Sequence, residues 1–493
     1  MTPLLHRSTM IMVVAALATT MALGQQPFDL DPGFRTDILT SGVVGSQYVN
    51  SIQPMPDGTL ILSGQFRFPG DQSTFSGARL AQNGGLINHI FQMGGRITPW
   101  IDQFYCGNGQ TVKRFSPNWS WDPTFDMLSD PLMSIFQGGD YHVFPDGRVV
   151  VTGSHTLNDP VRGFVGGHQL IWLQNNGYLD TTRIHRKCNG ILWTLKEQPD
   201  GKFLVGSWCT EFEGRPVGPV FRMHADGALD TTFTAPMLHE QATYLYAMHT
   251  YADGRILLGG VFTALPGYTD TIVVVRLLPD GSLDPSFTPV PAQAQYEPPH
   301  RPPSVRGLLP LDDDRLIVTG TFDHLHGEAR GGIAMLNADG SLSDEHFVGA
   351  ACGPYNSPNG TARRIGGIMP SADGNYYIWG TYHGYTDGNT NDPAQRFVSR
   401  LYGLNVGIAE QERINFKLYP NPASTQVTVA LEQLLAHGEL LLRDALGREV
   451  HRERIAGHYH TVEVQGLPAG LYLLELWAQG KRQGSERVVV SAP

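Results

Sequence analysis

The chain has 493 residues, too many for one ordinary hydrophobic core, so several domains or a repeat array are expected. Its composition is globular, 41% hydrophobic and only 16% charged, and 57 Gly with 34 Pro favour many short strands over long helices. A formal net charge of −11 with no basic cluster excludes nucleic acid as a partner, because phosphate backbones are bound by grouped Lys and Arg.

The chain opens on an export segment. His6 and Arg7 precede an apolar run, Met10 to Leu23, and Ala22-Leu23-Gly24 sets small residues where a signal peptidase reads. Residues 1–24 are the expected signal peptide, cut between Gly24 and Gln25. The run is too short to span a bilayer, and no later stretch of about 18 apolar residues occurs, so no transmembrane span is expected. No Cys follows the run, which argues against a lipid anchor. The four cysteines are Cys106, Cys188, Cys209 and Cys352. An exported chain can form disulfides. Cys188 and Cys209 flank one expected hairpin at similar distances from its turn, which allows a cross-strand bridge. The spacing fits no zinc pattern, and Cys106 and Cys352 read as small core-filling thiols.

Self-similarity then dominates. An apolar stretch, an Asp-Gly turn, a second apolar stretch and a Gly recur as PDGTLILSG from Pro56, PDGRVVVTG from Pro145, PDGKFLVGS from Pro199 and ADGRILLGG from Ala252. The element returns as DDDRLIVTG from Asp312 and ADGNYYIWG from Ala372, and a degenerate copy spans Ile97 to Gly107. The turn residues are Asp57, Asp102, Asp146, Asp200, Asp253, Asp313 and Asp373, at steps of 44 to 60 residues. A second element follows each first one: an apolar strand, a tight turn, then Leu-Asp-x-x-Phe. VRLLPDGSLDPSF, Val275 to Phe287, is the clearest copy, and Phe221 to Phe233 and Lys113 to Phe125 keep its skeleton. Asp-Gly and Asn-Gly between apolar runs mark hairpins. Each unit therefore reads as two hairpins, a four-stranded antiparallel sheet that must stack on neighbours to bury its faces. The Asp beside Pro or Thr is expected to fix a turn through backbone hydrogen bonds rather than to catalyse.

The last unit stops at Ser399 to Asn405 without its Leu-Asp-x-x-Phe strand, and that strand stands at the start of the chain as Leu30 to Phe34. If it completes the final sheet, a ring closes with both sheet edges paired. A seven-bladed β-propeller over residues 25–405 is the expected fold. Units of the form DGxxLVGG…RLxxDGSLDPSF resemble the delta-60 repeats of secreted bacterial proteins, over roughly residues 28 to 404. The resemblance implies propeller-like modules.

After the linker 406–415, residues 416–493 change character. Alternating strands around Val427 to Leu431, Val462 to Val464 and Val488 to Val490 suggest a small immunoglobulin-like sandwich. Tyr419-Pro420-Asn421-Pro422-Ala423, the turn Asp444 to Arg448, and Leu467-Pro468-Ala469-Gly470-Leu471-Tyr472 occur in order. They closely resemble the type A sorting domain of the type IX secretion system of Bacteroidota. By that resemblance the type IX machinery is a partner, the protein is carried across the outer membrane to the cell surface or medium, and this domain is removed on the way. The basic residue usual near the end is reduced here to Arg487.

No G-x-S-x-G elbow, H-E-x-x-H or P-loop is present, and no cofactor is expected. Asp387, Asn389 and Asn391 alternate as oxygen donors for Ca²⁺, but Asp392 stands where an EF-hand needs Gly, so ordinary loop chemistry is the competing reading. The Asp-Gly turns are short, whereas six other connections are long, including Phe66 to Gly77, His155 to His168, Thr288 to Ser304 and Tyr382 to Arg396. One face is therefore expected to be loop-rich, where binding concentrates. Its candidate ligand residues are Tyr268, Tyr296, His300, His324, His326, Tyr382, His383 and Tyr385, the alternative being that these rings pack the loops themselves. The expected function is binding or adhesion at the cell surface, with a glycan, peptide or surface protein as ligand and no catalytic residues. A carbohydrate-active enzyme, a glycoside hydrolase or lyase on the same scaffold, and a passive structural protein are the alternatives.

Overall fold

The structure is a computed structural model that describes residues 26–40, 47–239, 243–263, 265–294, 302–349, 351–357, 360–388, 390–404, 416–444, 448–478 and 481–491. The expected signal segment with its cut between Gly24 and Gln25, the linker 406–415, and Tyr296, His300 and Asn389 lie outside the described residues. The chain divides into two compact units between Leu404 and Asn405. Among the described residues the helical content is one 3-10 turn at Met127–Ser129, and no helix is long and apolar enough to cross a membrane.

The first unit is a succession of antiparallel sheets, each opening on a turn Asp. The first sheet pairs Tyr48–Pro54, Leu60–Phe66, Phe75–Leu80 and Leu86–His89, and the second Arg96–Trp100, Gln103–Gly107, Val112–Phe115 and Trp121–Asp126. The third pairs Met133–Val143, Val149–Asp159 and Phe164–Leu173, and the fourth Leu192–Glu197, Phe203–Ser207 and Val220–Met223. The fifth holds Tyr244–Thr250, Ile256–Phe262, Ile272–Leu277 and Val290–Gln293, and the sixth Ser304–Pro310, Leu316–Thr321 and Ile333–Leu336. The seventh holds Arg364–Pro370, Tyr376–Thr386 and Asn391–Leu401.

The turns form where the repeat places Asp-Gly. Each carboxylate accepts the backbone N–H two residues on, at 3.0 Å from Thr59 to Asp57 and 3.0 Å from Arg255 to Asp253. Gly58, Gly147, Gly201, Gly254 and Gly374 follow at φ of 78° to 85°, which costs glycine nothing. In the sixth sheet Asp314 takes the same role at φ 63°, a conformation Asp tolerates better than most residues.

The Leu-Asp-x-x-Phe element is a clamp between neighbouring sheets. Its Leu bridges the last residue of the preceding strand, as in Leu277 with Leu283 and Met223 with Leu229. Its Asp is buried and caps the next turn: Asp284 accepts from the Ser286 N–H at 2.9 Å. Asp284 also receives the Arg276 guanidinium at 2.6 Å, and Arg276 donates onward to the Ala338 carbonyl in the outer turn of the next sheet at 2.7 Å. The same guanidinium lies over the Phe287 ring at 4.8 Å. Arg222 repeats the contact with Asp230 and Pro279, and Arg114 with Asp122 and Asn175. In the sixth sheet Met335 and Ser343 occupy the two positions and keep only the backbone bond.

Arg400 makes this contact from the seventh sheet to the first. It donates to Asp31 at 2.6 Å and to the Gln82 carbonyl at 3.2 Å. Leu30 bridges Leu401, and the Phe28 and Asp31 N–H groups donate to the Tyr402 and Arg400 carbonyls, each at 2.9 Å. Phe34 and Ile38 share a core with Val49, Leu62, Tyr377 and Val398, drawn from both sheets. The first strand of the seventh sheet also contacts Tyr48–Pro54.

Two stretches expected as loops are paired ribbons. Strands Val149–Asp159 and Phe164–Leu173 pair out to Asp159 with Phe164, and Tyr376–Thr386 with Asn391–Leu401 out to Thr386 with Asn391. Their Gly, Asn and Asp content imitates loop composition, but alternate side chains are buried. A bridge joins Cys188 to Cys209 (Cα–Cα 5.9 Å), and Cys106 and Cys352 are buried thiols.

The first ribbon buries three histidines. His155 faces His168 across the ladder, and His185 packs edge-on to Phe164 at 4.7 Å. His155, His168 and His185 are all buried. Burial pushes His155 and His185 down to about 4 from an ordinary 6.5. The unfolded chain therefore takes up protons that the native state refuses as pH falls below about 6.5. Stability is complete above that pH and is expected to fall by roughly 2–3 kcal/mol per histidine by about pH 4.5. Chemical denaturation across this window should show the slope, and His155→Leu should flatten it.

The second unit is one five-stranded sheet. It orders Phe416–Tyr419, Gln426–Arg443, Gly470–Ala478 and Lys481–Val490, with Glu449–Glu463 also paired to Gln426–Arg443. Alternate residues Val427, Val429, Val462, Val464, Val488 and Val490 enter a single core with Leu440, Leu442, Leu474 and Leu476. A parallel bridge from Ala423 to Val490 ties the Pro-rich segment to the last strand.

Candidate functional site

The first strands of five of these sheets share an irregularity. Pairing skips one residue between Val49 and Ser51, Leu192 and Thr194, Leu245 and Ala247, Val305 and Gly307, and Ile365 and Gly367. The bulged residues are Asn50, Trp193, Tyr246, Arg306 and Gly366, each seven positions before its turn Asp. A bulge leaves one residue outside the ladder and re-aims its side chain, which is why bulges collect at functional sites. Four of the five, all but Trp193, line a single cavity of about 410 Å³.

Six of the seven sheets contribute to that cavity. Its wall includes Asn50, Arg96, Lys196, Tyr246, Arg306 and Trp379. The Trp379 indole donates to the Asn50 carbonyl at 3.0 Å, joining the seventh sheet to the first. Gly367 makes room for it: a Cβ there would stand 2.4 Å from the indole Cζ2. The Arg306 guanidinium lies over the Tyr246 ring at 4.2 Å.

Among the described residues at this wall cations outnumber anions. Arg96 pairs with Asp140 at 2.9 Å, and Asp140 also accepts the Tyr141 and Leu195 N–H groups at 2.9 and 3.1 Å. Burial alone would raise the Asp140 pKa, but Arg96 and then Lys196 outweigh it and hold the carboxyl below its ordinary value. Burial lowers the Lys196 ammonium and Arg96 lowers it further, against the pull of Asp140. Among the described residues the Lys196 ammonium makes no hydrogen bond or ion pair. None of the described lining residues is Asp or Glu.

An aromatic row leads into the cavity. Trp193 meets Trp208 edge-on at 4.9 Å, Trp208 meets Tyr244 at 5.2 Å, and Tyr244 stacks parallel to Tyr246 at 5.9 Å. Trp208 is 45% exposed. Trp193 and Tyr244 stand at strand starts and Trp208 just past a strand end, all away from the Asp-Gly turns. The row therefore opens on the face of the longer connections.

The residues expected from sequence do not meet there. Tyr268 is exposed on its own loop. Tyr382 and Tyr385 are corrected to core residues, both fully buried, with the Tyr382 hydroxyl donating to Ser399 at 2.8 Å. They sit in the ribbon mistaken for a loop. His383, in the same ribbon, is half-buried, and burial lowers its pKa. His324 belongs to the short strand His324–Leu325, which pairs with Val290–Gln293 of the fifth sheet, and the His326 ring bonds the Gly340 carbonyl at 3.0 Å in the sixth sheet's outer turn, so both hold this hairpin in place. Asp387 accepts the Leu30 N–H at 2.8 Å and the Thr390 N–H, and Asn391 begins a strand, so this segment secures the N-terminal strand. Among the described residues no group of three or more His, Cys, Asp or Glu is placed to hold a metal.

The missed residues carried a signal within the chain. One step before the bulge these five repeats have an apolar residue, Val49, Leu192, Leu245, Val305 or Ile365, whereas the bulge itself varies as Asn, Trp, Tyr, Arg and Gly. A position that varies while its neighbours stay fixed faces something other than the core.

Comparisons with known proteins bear on both units. A β-propeller family described as a domain of unknown function (DUF5122) matches residues 198–233, 252–287 and 311–342, and a secretion system C-terminal sorting domain matches 417–491. None of the curated proteins compared matches. Among solved structures, the extracellular domain of the one-component system BT4673 from B. thetaiotaomicron is similar at 8% identity and a TM-score of 0.41, over 95% of this chain and 59% of that one. This chain thus spans just over half the length of that relative. A fungal alcohol oxidase of the AA5 family, in complex with copper, is similar at 15% identity and a TM-score of 0.37, over 94% and 100%. PorZ, a surface component of the type IX secretion system of Porphyromonas gingivalis, is similar at 10% identity and a TM-score of 0.22, over 90% and 81%. The chain therefore carries DUF5122 β-propeller repeats and a type IX secretion C-terminal sorting domain, and it is a secreted or outer-membrane surface-attached protein.

Proposed function

We propose that residues 26–404 form a seven-bladed propeller closed by the N-terminal strand, that residues 416–491 form an immunoglobulin-like sandwich, and that the propeller binds glycans at the cell surface. The ring reading is supported by Arg400, which reaches the first sheet through the contact that Arg114, Arg222 and Arg276 make to their neighbours.

The observation that carries the binding reading is the row Trp193, Trp208, Tyr244 and Tyr246, running from an exposed indole to the axial cavity. Flat rings offered edge and face to solvent suit the apolar faces of pyranose sugars, and a soluble fold has little reason to expose them otherwise. A wall whose described lining residues include no carboxylate fits binding better than glycoside hydrolysis, which uses a pair of them.

Immobilised glycans, screened with the full chain and with Trp208→Ala, test the reading. Because Trp208 is exposed, the substitution should leave the thermal midpoint within about one degree and weaken glycan retention about tenfold or more. Retention unaffected by Trp208→Ala and Tyr244→Ala together would remove the aromatic row from the function.

A further inference from the structure

At Trp208, the exposed member of the aromatic row, the fourth sheet departs from the repeat. Nine residues after the turn Asp, the first, third, fifth, sixth and seventh repeats place a buried ring: Phe66, His155, Phe262, Phe322 and Tyr382. In the fourth repeat that position is Cys209, also buried, and it is bridged to Cys188. One residue earlier the same five repeats have Gln65, Ser154, Val261, Thr321 and Thr381, none aromatic and none exposed, whereas the fourth has the exposed Trp208. A ring that elsewhere turns inward is exchanged for a sulfur, and an indole stands outward beside it.

A half-cystine is smaller than a ring, and Cys188 adds to its volume, packing on the core that holds Phe203, Phe212 and Phe221. The bridge also ties down the segment that faces Trp208. The Trp208 N–H donates to the Ile191 carbonyl at 2.9 Å, just past the pairing of Leu192 with Ser207 that ends the ladder. Asn189 accepts the Thr210 and Glu211 N–H groups, each at 3.0 Å, and donates to the Thr210 hydroxyl at 2.8 Å. A Cβ at Gly190 would stand 2.7 Å from the Trp208 carbonyl oxygen, so glycine is what lets the two segments meet this closely. Trp208 is thus fixed by the ladder through Ser207 on one side and by the bridge through Cys209 on the other, and its indole links Trp193 to Tyr244.

We propose that the Cys188–Cys209 bridge holds Trp208 in the aromatic row, so that the row retains its ligand only while the bridge is closed. This rests on the glycan reading of the row and adds its control. Without the bridge the segment 188–191 and the strand end can part, and an indole that must be ordered again before a sugar stacks on it costs affinity. A thiol reductant opens the bridge by exchange: two of its thiols become one disulfide, and Cys188 and Cys209 each gain one electron and one proton. Cys188 is the less buried of the two, so exchange starts there. Cys106 and Cys352 are already thiols, so a reductant alters this pair alone.

The test compares four proteins: the bridged full chain, the same chain under dithiothreitol, Cys188→Ala with Cys209→Phe, and Trp208→Ala. The Phe variant gives the fourth sheet the ring its neighbours have, so it fills the core without tying the segment. Retention on immobilised cellohexaose, xylohexaose and mannohexaose is measured beside hydrogen–deuterium exchange of peptides over 188–191 and 208–212. The reduced chain and the Phe variant should lose about tenfold in retention, as Trp208→Ala does, and adding Trp208→Ala to the Phe variant should cause no further loss. Exchange in the two segments should rise about tenfold or more while peptides over 203–206 and 220–223 stay protected. Should the Phe variant fail to fold, the reduced chain supplies the comparison. Unchanged exchange in the unbridged proteins, faster exchange with full retention, or losses that add to that of Trp208→Ala overturn the proposal. So does exchange that rises equally through 203–206 and 220–223, since the bridge would then support the whole sheet and not Trp208. If the bridged chain retains none of the three sugars, the glycan reading falls with its control, and the exchange alone decides whether the bridge holds Trp208.

Discussion

Removal of residues 26–36 is expected to unfold the propeller unit or lower its thermal midpoint by tens of degrees. The segment buries Phe28, Leu30 and Phe34, each at most 2% exposed. At about 1.5–3 kcal/mol for each buried side chain, these three alone contribute roughly 5–9 kcal/mol. That is comparable with the whole stability of an ordinary domain, about 5–15 kcal/mol. The deletion also strands Arg400 without Asp31 and leaves the outer edge of Asn391–Leu401 unpaired. Thermal denaturation followed by circular dichroism gives the readout. A synthetic peptide of residues 26–38, added in excess, should restore most of the loss by mass action. A truncated chain with an unchanged midpoint would show that the seventh sheet does not depend on this strand.

Asp284→Ala is the second large effect, with an expected loss of about 3–5 kcal/mol. Both members of the Arg276–Asp284 pair have side chains only 4% exposed, so the substitution leaves a guanidinium buried without its counter-charge. It also uncaps the Ser286 N–H and frees the arm that holds the Ala338 carbonyl of the next sheet. The destabilisation therefore reaches across the sheet boundary. Arg276→Met combined with Asp284→Leu should cost less than Asp284→Ala alone, because no charge is then stranded. Urea denaturation of the three proteins checks both statements. The sixth sheet already has Met335 and Ser343 at these positions, so an uncharged version of the clamp is compatible with the fold.

Much of the architecture was legible because it is dictated locally. Asp57-Gly58 and its repeats can close only a tight turn, and Leu30-Asp31 at the head of the chain had no partner until Arg400-Leu401 at the end of the last repeat supplied one. The Asp of each Leu-Asp-x-x-Phe was read as a turn cap, which it is. That it also neutralises a buried Arg was not legible, since the Arg lies eight residues earlier and its third partner lies in the next sheet. Composition misled where strands ran long. Tyr382, His383 and Tyr385 sit among Gly, Asn and Asp, yet the backbone around them is ladder-paired and the two tyrosines face the core. The cavity escaped the sequence reading altogether. A bulge shifts register by one residue, and apolar alternation within one strand does not mark Tyr246 or Arg306 as the residue left over; only laying the repeats over one another does.

That leftover position has an evolutionary consequence. Because no ladder partner constrains it, the side chain at the bulge can be exchanged by a single codon change while hydrogen bonding and core volume stay as they were. One copy already carries an indole, another a phenol, another a guanidinium and another no side chain at all. Specificity in this scaffold can therefore diversify one spoke at a time, without renegotiating the stability of the wheel.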